Sequence, residues 1–156
     1  MIIALGCDHA GCPLKLQVHA WLEKNGHKVV NKGVDTDAVP ADYPDYARAV
    51  AESVAKGEAQ RGIVVCGSGV GATIAVNKVP GVRGCMCHDT FSARQGVEDD
   101  DMNVLCLGGR IIGSELAYEV LKAFLGAKFS GLERHQCRKD KVTAIERDYS
   151  KEAVKK

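Results

Sequence analysis

The chain has 156 residues, a formal net charge of +1, and hydrophobic side chains at 46% of its positions. That length suits one domain with a substantial core, and the near-neutral charge speaks against a nucleic-acid or acidic partner. No apolar run reaches the roughly 20 residues needed to span a bilayer, and the N-terminal MIIALGCDHAG lacks a basic stretch and meets Asp8 too early for a secretory signal, so a cytoplasmic protein is expected.

The predicted elements alternate. Ile2–Cys7 is an apolar run and reads as the first strand, with Asp8-His9-Ala10-Gly11 as its exit loop. Pro13 opens a helix from Leu14 to about Lys24, where Leu14, Val18, Trp21 and Leu22 recur at helical spacing, and Asn25-Gly26 ends it. His27–Lys32 is a second strand, and Gly33–Pro44 is a polar loop interrupted by Pro40 and Pro44. A helix runs from Tyr46 to Lys56 and closes at Gly57. A strand at Gly62–Cys66, a glycine-rich turn and a further helix follow. Val82–Cys87 is the fourth strand, ending in His88-Asp89, after which Thr90 is placed to cap a helix from Phe91 to about Val97. Asp99-Asp100-Asp101 reads as a loop, Val104–Leu107 as the fifth strand, and Gly108-Gly109-Arg110 as its exit turn. Ser114 caps a helix to about Leu125. The remaining tail is polar and ends in a helix from about Asp140.

Alternating strands and helices imply a parallel sheet covered on both faces, an α/β fold. Every loop with distinctive chemistry follows a strand, so Asp8 and His9, Cys66 to Gly71, His88 and Asp89, and Arg110 are expected along one sheet edge. The seven cysteines are at 7, 12, 66, 85, 87, 106 and 137. Their odd number and apolar settings predict buried, reduced thiols rather than a disulfide framework. Cys85 and Cys87 alternate along a strand and so share a side. Without a C-x-x-C pair, buried packing is expected there rather than zinc.

The distinctive stretch is IVVCGSGVGATIAVNK, residues 63–78. A strand runs into Cys66, and Gly67-Ser68-Gly69-Val70-Gly71 turns the chain into a helix. Such a turn brings backbone N–H groups up to an anion, and a thiol at its lip is suited to act as base or nucleophile. Gly67 to Ala72 also fits G-x-G-x-x-A, with Asp89 placed as a ribose contact, so a dinucleotide-binding or regulatory module is the alternative from another class. Five strands with the motif on the third leave little room for both a dinucleotide domain and a substrate site.

Taken together, GCDHAG (6–11), DYPDYA (42–47), VVCGSGVGATIAVNKVPGVR (64–83), NVLCLGGRIIG (103–113) and RHQCRKDKVTAIE (134–146) carry a further reading. The chain resembles, nearly end to end, the type B ribose-5-phosphate isomerases, the family that includes the galactose-6-phosphate isomerase subunits. The resemblance implies a Rossmann-like three-layer αβα sandwich around a five-stranded parallel sheet. It implies a single domain over 1–156, whose tail from about 130 packs on a partner subunit of a homodimer, with pairing into tetramers left open. It implies no metal and no other cofactor. The activity implied is aldose–ketose isomerisation of a small sugar phosphate through an enediolate. Ribose 5-phosphate is the default substrate, with a tetrose 4-phosphate or hexose 6-phosphate as alternatives.

Carried over by position, Cys66 is the base and Ser68, where the family often has threonine, the hydroxyl donor. The N–H groups of Gly67, Gly69 and Gly71 stabilise the enediolate. Asp8 holds substrate hydroxyls, and His9 and Tyr43 line the pocket. Arg110, with Arg134, His135 and Arg138, binds the phosphate, some of these across the dimer. Before NVL the ribose enzymes usually carry a histidine that opens the sugar ring and an asparagine after it. Here those positions are Asp99 and Asp100. An ordinary aspartate is ionised at neutral pH and donates a proton poorly, yet within this run of three aspartates Asp99 stays a candidate catalytic acid, with Asp100 beside it as a substrate contact. Proton transfer is therefore expected to survive, while ring opening changes.

Overall fold

The structure is a computed structural model that describes residues 1–153, with side chains to residue 150; the last three residues of the domain expected over 1–156 lie outside the described residues. In chain order the elements are β1 (Ile2–Cys7), α1 (Cys12–Lys24), β2 (Lys28–Asn31), α2 (Tyr43–Ala55), β3 (Arg61–Cys66), α3 (Val70–Val76), β4 (Gly84–Met86), α4 (Thr90–Asp100), β5 (Val104–Gly108), α5 (Ser114–Gly126) and α6 (Glu133–Ala153). The strands form one parallel sheet in the order β2-β1-β3-β5-β4.

The central strands β1, β3 and β5 are covered on both faces, which is why each reads as a continuous apolar run. On one face Leu5, Cys7, Ile63, Val65, Leu105 and Leu107 pack against α1, α4 and α5, with Phe124 and Leu121 fully buried. On the other, Ala4, Val64, Cys66 and Cys106 meet α2 and α3. The result is the expected three-layer α/β sandwich. Arg61, at the start of β3, donates to the carbonyls of Phe124 and Ala127 and lies over the Phe124 ring, tying the end of α5 to the sheet.

Several boundaries differ from the sequence expectation. The second helix starts at Tyr43, three residues early, because Pro44 sits in its first turn, where a missing N–H costs nothing. Asp89, not Thr90, caps α4: its carboxylate accepts the Ser92 N–H at 2.7 Å. Asp99 and Asp100 are the last turn of α4 rather than a loop, and Asp101 ends the helix at φ 55. Ser114 is the first residue of α5 and makes no capping bond; Gly113 holds the cap position. The last helix begins at Glu133, seven residues before Asp140. The β4 ladder spans only Gly84–Met86, at the sheet edge. Cys85 is consequently exposed, as is Cys137 on α6, against the expectation of buried thiols. Among the described residues no helix is long and apolar enough to cross a membrane.

Candidate active site

The helix after β1 lies on one face of the sheet and the helix after β3 on the other, so the chain parts between the carboxyl ends of these two neighbouring strands. In open α/β sheets this crevice binds ligands. Three exit loops close on it. Gly11 presses on the end of β3, where a Cβ would lie 2.1 Å from the Val65 carbonyl oxygen, so the Asp8–Gly11 loop runs beside Cys66. Gly109 N–H donates to Cys66 O at 2.8 Å and Arg110 N–H to Gly67 O at 3.0 Å, locking the β5 exit turn onto the glycine loop.

Cys66 ends β3, is 4% exposed, and its Sγ accepts the Gly69 N–H at 3.1 Å. Gly69 makes that bond from φ 86, a left-handed conformation suited to glycine. The Gly69 N–H is thus directed at the sulfur, which serves as its acceptor. The Ser68 Oγ accepts the Val70 N–H at 3.3 Å, which leaves its own proton to donate. Two of the buried thiols are set apart by their surroundings. Burial pushes Cys106 and Cys7 up to about 12, which leaves them unreactive near neutral pH.

Around this thiol, Asp8 is buried and its Oδ1 accepts the Gly11 N–H at 2.8 Å. His9 Nδ1 lies 3.1 Å from both N and O of Ala41, in the segment leading to α2. The Tyr43 ring lies against Gly71, whose Cβ would come within 2.7 Å of it. The Arg110 side chain passes over Gly67. Asp8, His9, Tyr43, Cys66, Gly67, Ser68, Gly69, Gly71 and Arg110 therefore gather at one edge of the sheet. Asp89, the ribose contact of the dinucleotide alternative, is occupied as the cap of α4. Among the described residues no three His, Cys, Asp or Glu side chains converge as a metal ion would require.

The other five expected residues lie elsewhere in the same chain. α4 starts at the carboxyl edge of the sheet and runs back about 16 Å, so Asp99 and Asp100 end near the opposite edge, where Asn103 O accepts the Gly62 N–H and Asp101 pairs with Arg83. β3 separates Gly62 from Cys66 by roughly 13 Å. Asp99 is held at both oxygens: Gln95 Nε2 donates to Oδ2 at 2.6 Å, and His135 Nδ1 lies 3.3 Å from Oδ1. His135 is buried, with Ser130 Oγ 2.7 Å from Nδ1 and the Arg134 Nε–H donating to Nε2 at 3.0 Å. Arg134 and Arg138 stand one helical turn apart on α6, both exposed. The chain thus brings Asp99, His135 and Arg134 together with each other, and not with Cys66.

Two residues of this architecture carried no assignment from sequence. His88 Nε2 accepts the Gly108 N–H at 2.9 Å; its signal was its place directly after a strand, at the edge where the other loops meet. Lys15 is fully buried, and its ammonium donates to Val34 O at 3.1 Å and to Asp35 at 2.7 Å, bracing the segment that reaches His9. Its signal was the spacing Lys15, Val18, Leu22, which puts a charge on the apolar stripe of α1.

Comparison with known proteins gives a consistent result. The sequence pattern of the ribose/galactose isomerase family matches residues 3–142. Ribose-5-phosphate isomerase B of Escherichia coli is 45% identical over 144 residues, spanning 92% of this chain and 95% of that protein. D-erythrulose-4-phosphate isomerase of Pectobacterium atrosepticum is 40% identical over 129 residues, 83% of this chain and 85% of the relative. Among solved structures, ribose-5-phosphate isomerase B of Clostridium thermocellum superposes with a TM-score of 0.92 at 42% identity, covering 96% of this chain and 99% of its own.

Proposed function

The chain belongs to the ribose/galactose isomerase family, whose members are intramolecular oxidoreductases acting as aldose–ketose sugar-phosphate isomerases, and within that activity we propose Cys66 as the base. The supporting observation is the buried Cys66 sulfur taking the Gly69 N–H at 3.1 Å in the crevice between β1 and β3. The thiolate removes the proton from C2 of an open-chain aldose phosphate, an enediolate forms, the hydroxyl proton passes from O2 to O1, and the carbon-bound proton returns at C1. Hydrogen moves as a proton throughout, so the step needs no hydride-accepting cofactor. The Gly67 and Gly71 N–H groups meet the enediolate oxygens, Ser68 supplies a hydroxyl donor, and Asp8 receives substrate hydroxyls, while His9 and Tyr43 wall the pocket. Arg110 binds the phosphate.

The remaining phosphate ligands come from a second copy of the chain, in a homodimer. Arg134, His135 and Arg138 lie at the sheet edge opposite their own Cys66, and only a partner can offer them to it. The whole chain acts as one domain, and we place it in the cytoplasm. Ribose 5-phosphate is the reference substrate.

A second substrate is favoured by Asp99. A carboxylate accepting from Gln95 and facing His135 is held as an acceptor, not presented as the acid that opens a furanose. A four-carbon sugar phosphorylated on O4 has no hydroxyl left to close that ring. D-erythrulose 4-phosphate, which a relative's name specifies, fits a site without a ring-opening group. The test is isomerisation in heavy water of ribose 5-phosphate and D-erythrulose 4-phosphate by the wild type, Cys66→Ala and Cys66→Ser. Both variants lose at least about 1000-fold in turnover, while Cys66→Ala still binds inorganic phosphate. Near wild-type turnover in Cys66→Ala would remove Cys66 as the base.

A further inference from the structure

β4 leaves the sheet after Met86, whereas β5 continues to Gly108, the residue in register with Cys66. Beyond the end of that ladder the His88 imidazole stands in for the missing strand: its Nε2 accepts the Gly108 N–H at 2.9 Å. Gly108 is buried and packs on the glycine loop, where a Cβ would lie 2.7 Å from the Ser68 carbonyl oxygen. The next two residues bond that same loop, Gly109 N–H to Cys66 O and Arg110 N–H to Gly67 O. One ring nitrogen therefore fixes the turn whose other bonds hold the Cys66–Ser68 backbone and direct Arg110.

We propose that His88 is a positioning residue for the isomerisation, its unprotonated imidazole holding the Gly108–Arg110 turn against the loop that carries the base. The proposal rests on the reading of Cys66 as base. Nε2 can accept only while the ring is neutral with its proton on Nδ1. Burial lowers the His88 pKa from the ordinary 6.5, against the pull of Asp89 beside it, whose carboxylate is itself engaged as the α4 cap. Among the described residues Asp89 is the charged group whose field reaches the ring. The acceptor is therefore present through the neutral range and is lost on acidification below 6.5, when a protonated ring confronts the Gly108 N–H, donor against donor.

The test uses the full-length enzyme with whichever of ribose 5-phosphate and D-erythrulose 4-phosphate it turns over. Gln places an acceptor oxygen near the Nε2 position and does not titrate; Asn reaches only as far as Nδ1. His88→Ala is expected to lose roughly 10- to 100-fold in kcat, with KM raised as well, because a buried N–H is orphaned and the turn that carries Arg110 shifts. His88→Gln recovers to within a few fold of wild type and His88→Asn does not. Below pH 6.5 the logarithm of kcat/KM falls more steeply for the wild type than for His88→Gln. The proposal is overturned if His88→Ala keeps wild-type kcat, if Asn restores activity as well as Gln, or if the two acid limbs are parallel. If His88→Ala does not fold, the Gln and Asn pair and the acid limbs still decide. Cys66→Ala, run alongside, fails on its own terms if the base is misassigned, and that result leaves the His88 comparisons readable.

Discussion

Gly69→Ala separates what the glycine loop costs the fold from what it gives the chemistry. At φ 86 an alanine pays roughly 1–2 kcal/mol for the left-handed conformation alone. Its Cβ would also meet Met86 Cγ at 3.0 Å, Met86 Sδ at 3.1 Å and the Leu107 carbonyl carbon at 3.2 Å. The half-exposed Met86 side chain can swing aside. The Leu107 carbon belongs to the backbone of a central strand and cannot, which adds about 1–2 kcal/mol of crowding. The expected loss is therefore roughly 2–4 kcal/mol in all. Gly26→Ala is the control, since Gly26 has φ +77 and nothing within 4 Å of an added Cβ. Urea unfolding of both variants at one protein concentration gives the crowding as their difference. In the same preparations Gly69→Ala should lose roughly 100-fold in kcat, because moving its N–H by tenths of an ångström displaces the donor on the Cys66 sulfur. Gly26→Ala should keep its turnover. Equal stability losses in the two variants, with kcat unchanged in Gly69→Ala, would refute both the crowding and the role of that N–H.

Mixing Cys66→Ala subunits with Arg138→Ala subunits, each inactive alone, should restore up to about a quarter of wild-type activity through hybrid dimers with one intact site. Verified hybrids without activity would show that Arg138 serves its own chain. Asp99→His should raise kcat/KM on ribose 5-phosphate several-fold and leave that on D-erythrulose 4-phosphate within about threefold, because only the furanose must be opened. A rate on ribose 5-phosphate that only falls in Asp99→His would mean that the aspartate does the histidine's work. Lys15→Ala should lower stability by about 2–4 kcal/mol and raise KM more than it lowers kcat, since the segment it braces carries the contact to His9. An unchanged KM would detach that segment from the substrate.

Legibility followed burial. β1, β3 and β5 were readable because both faces of each are covered, and the same burial made the parallel sheet and its ligand edge inferable. β4 was read too long because Val82 and Cys87 are buried without belonging to the ladder: Val82 packs under α3 and Cys87 against the opposite core. The end of α4 was read as a loop because three aspartates in a row are poor helix formers. A local Gln95–Asp99 hydrogen bond and tertiary contacts from His135 to Asp99 and from Arg83 and Lys139 to Asp101 override that preference. The start of α6 was obscured because its first turns expose most of their side chains, so no apolar stripe marked them. In the near half of the site, the gathering of Asp8, His9, the Cys66–Gly71 loop and Arg110 at one edge follows from each lying directly after a strand of a parallel sheet, whereas Tyr43, at the start of a helix, came only with the family resemblance. The far half was not legible in this way, because its position depends on the direction in which α4 returns across the sheet.

The two halves are built from different materials, and that governs how each can change. The near half is largely backbone: glycine N–H groups, strand ends in register, and turns bonded to one another at Cys66 O and Gly67 O. A substitution there meets main chain within about 3 Å at Gly11, Gly69 or Gly108, so the loops around Cys66 cannot drift without disturbing the sheet. The far half consists of side chains at the end of α4 and the start of α6, partly exposed and joined by side-chain hydrogen bonds. A histidine can give way to Asp99 there with only a new set of partners to satisfy, and Gln95 and His135 supply them. Under the proposed roles, substrate choice changes at position 99 while proton transfer at Cys66 stays fixed, so one scaffold would serve sugars that must be opened and sugars that are already open.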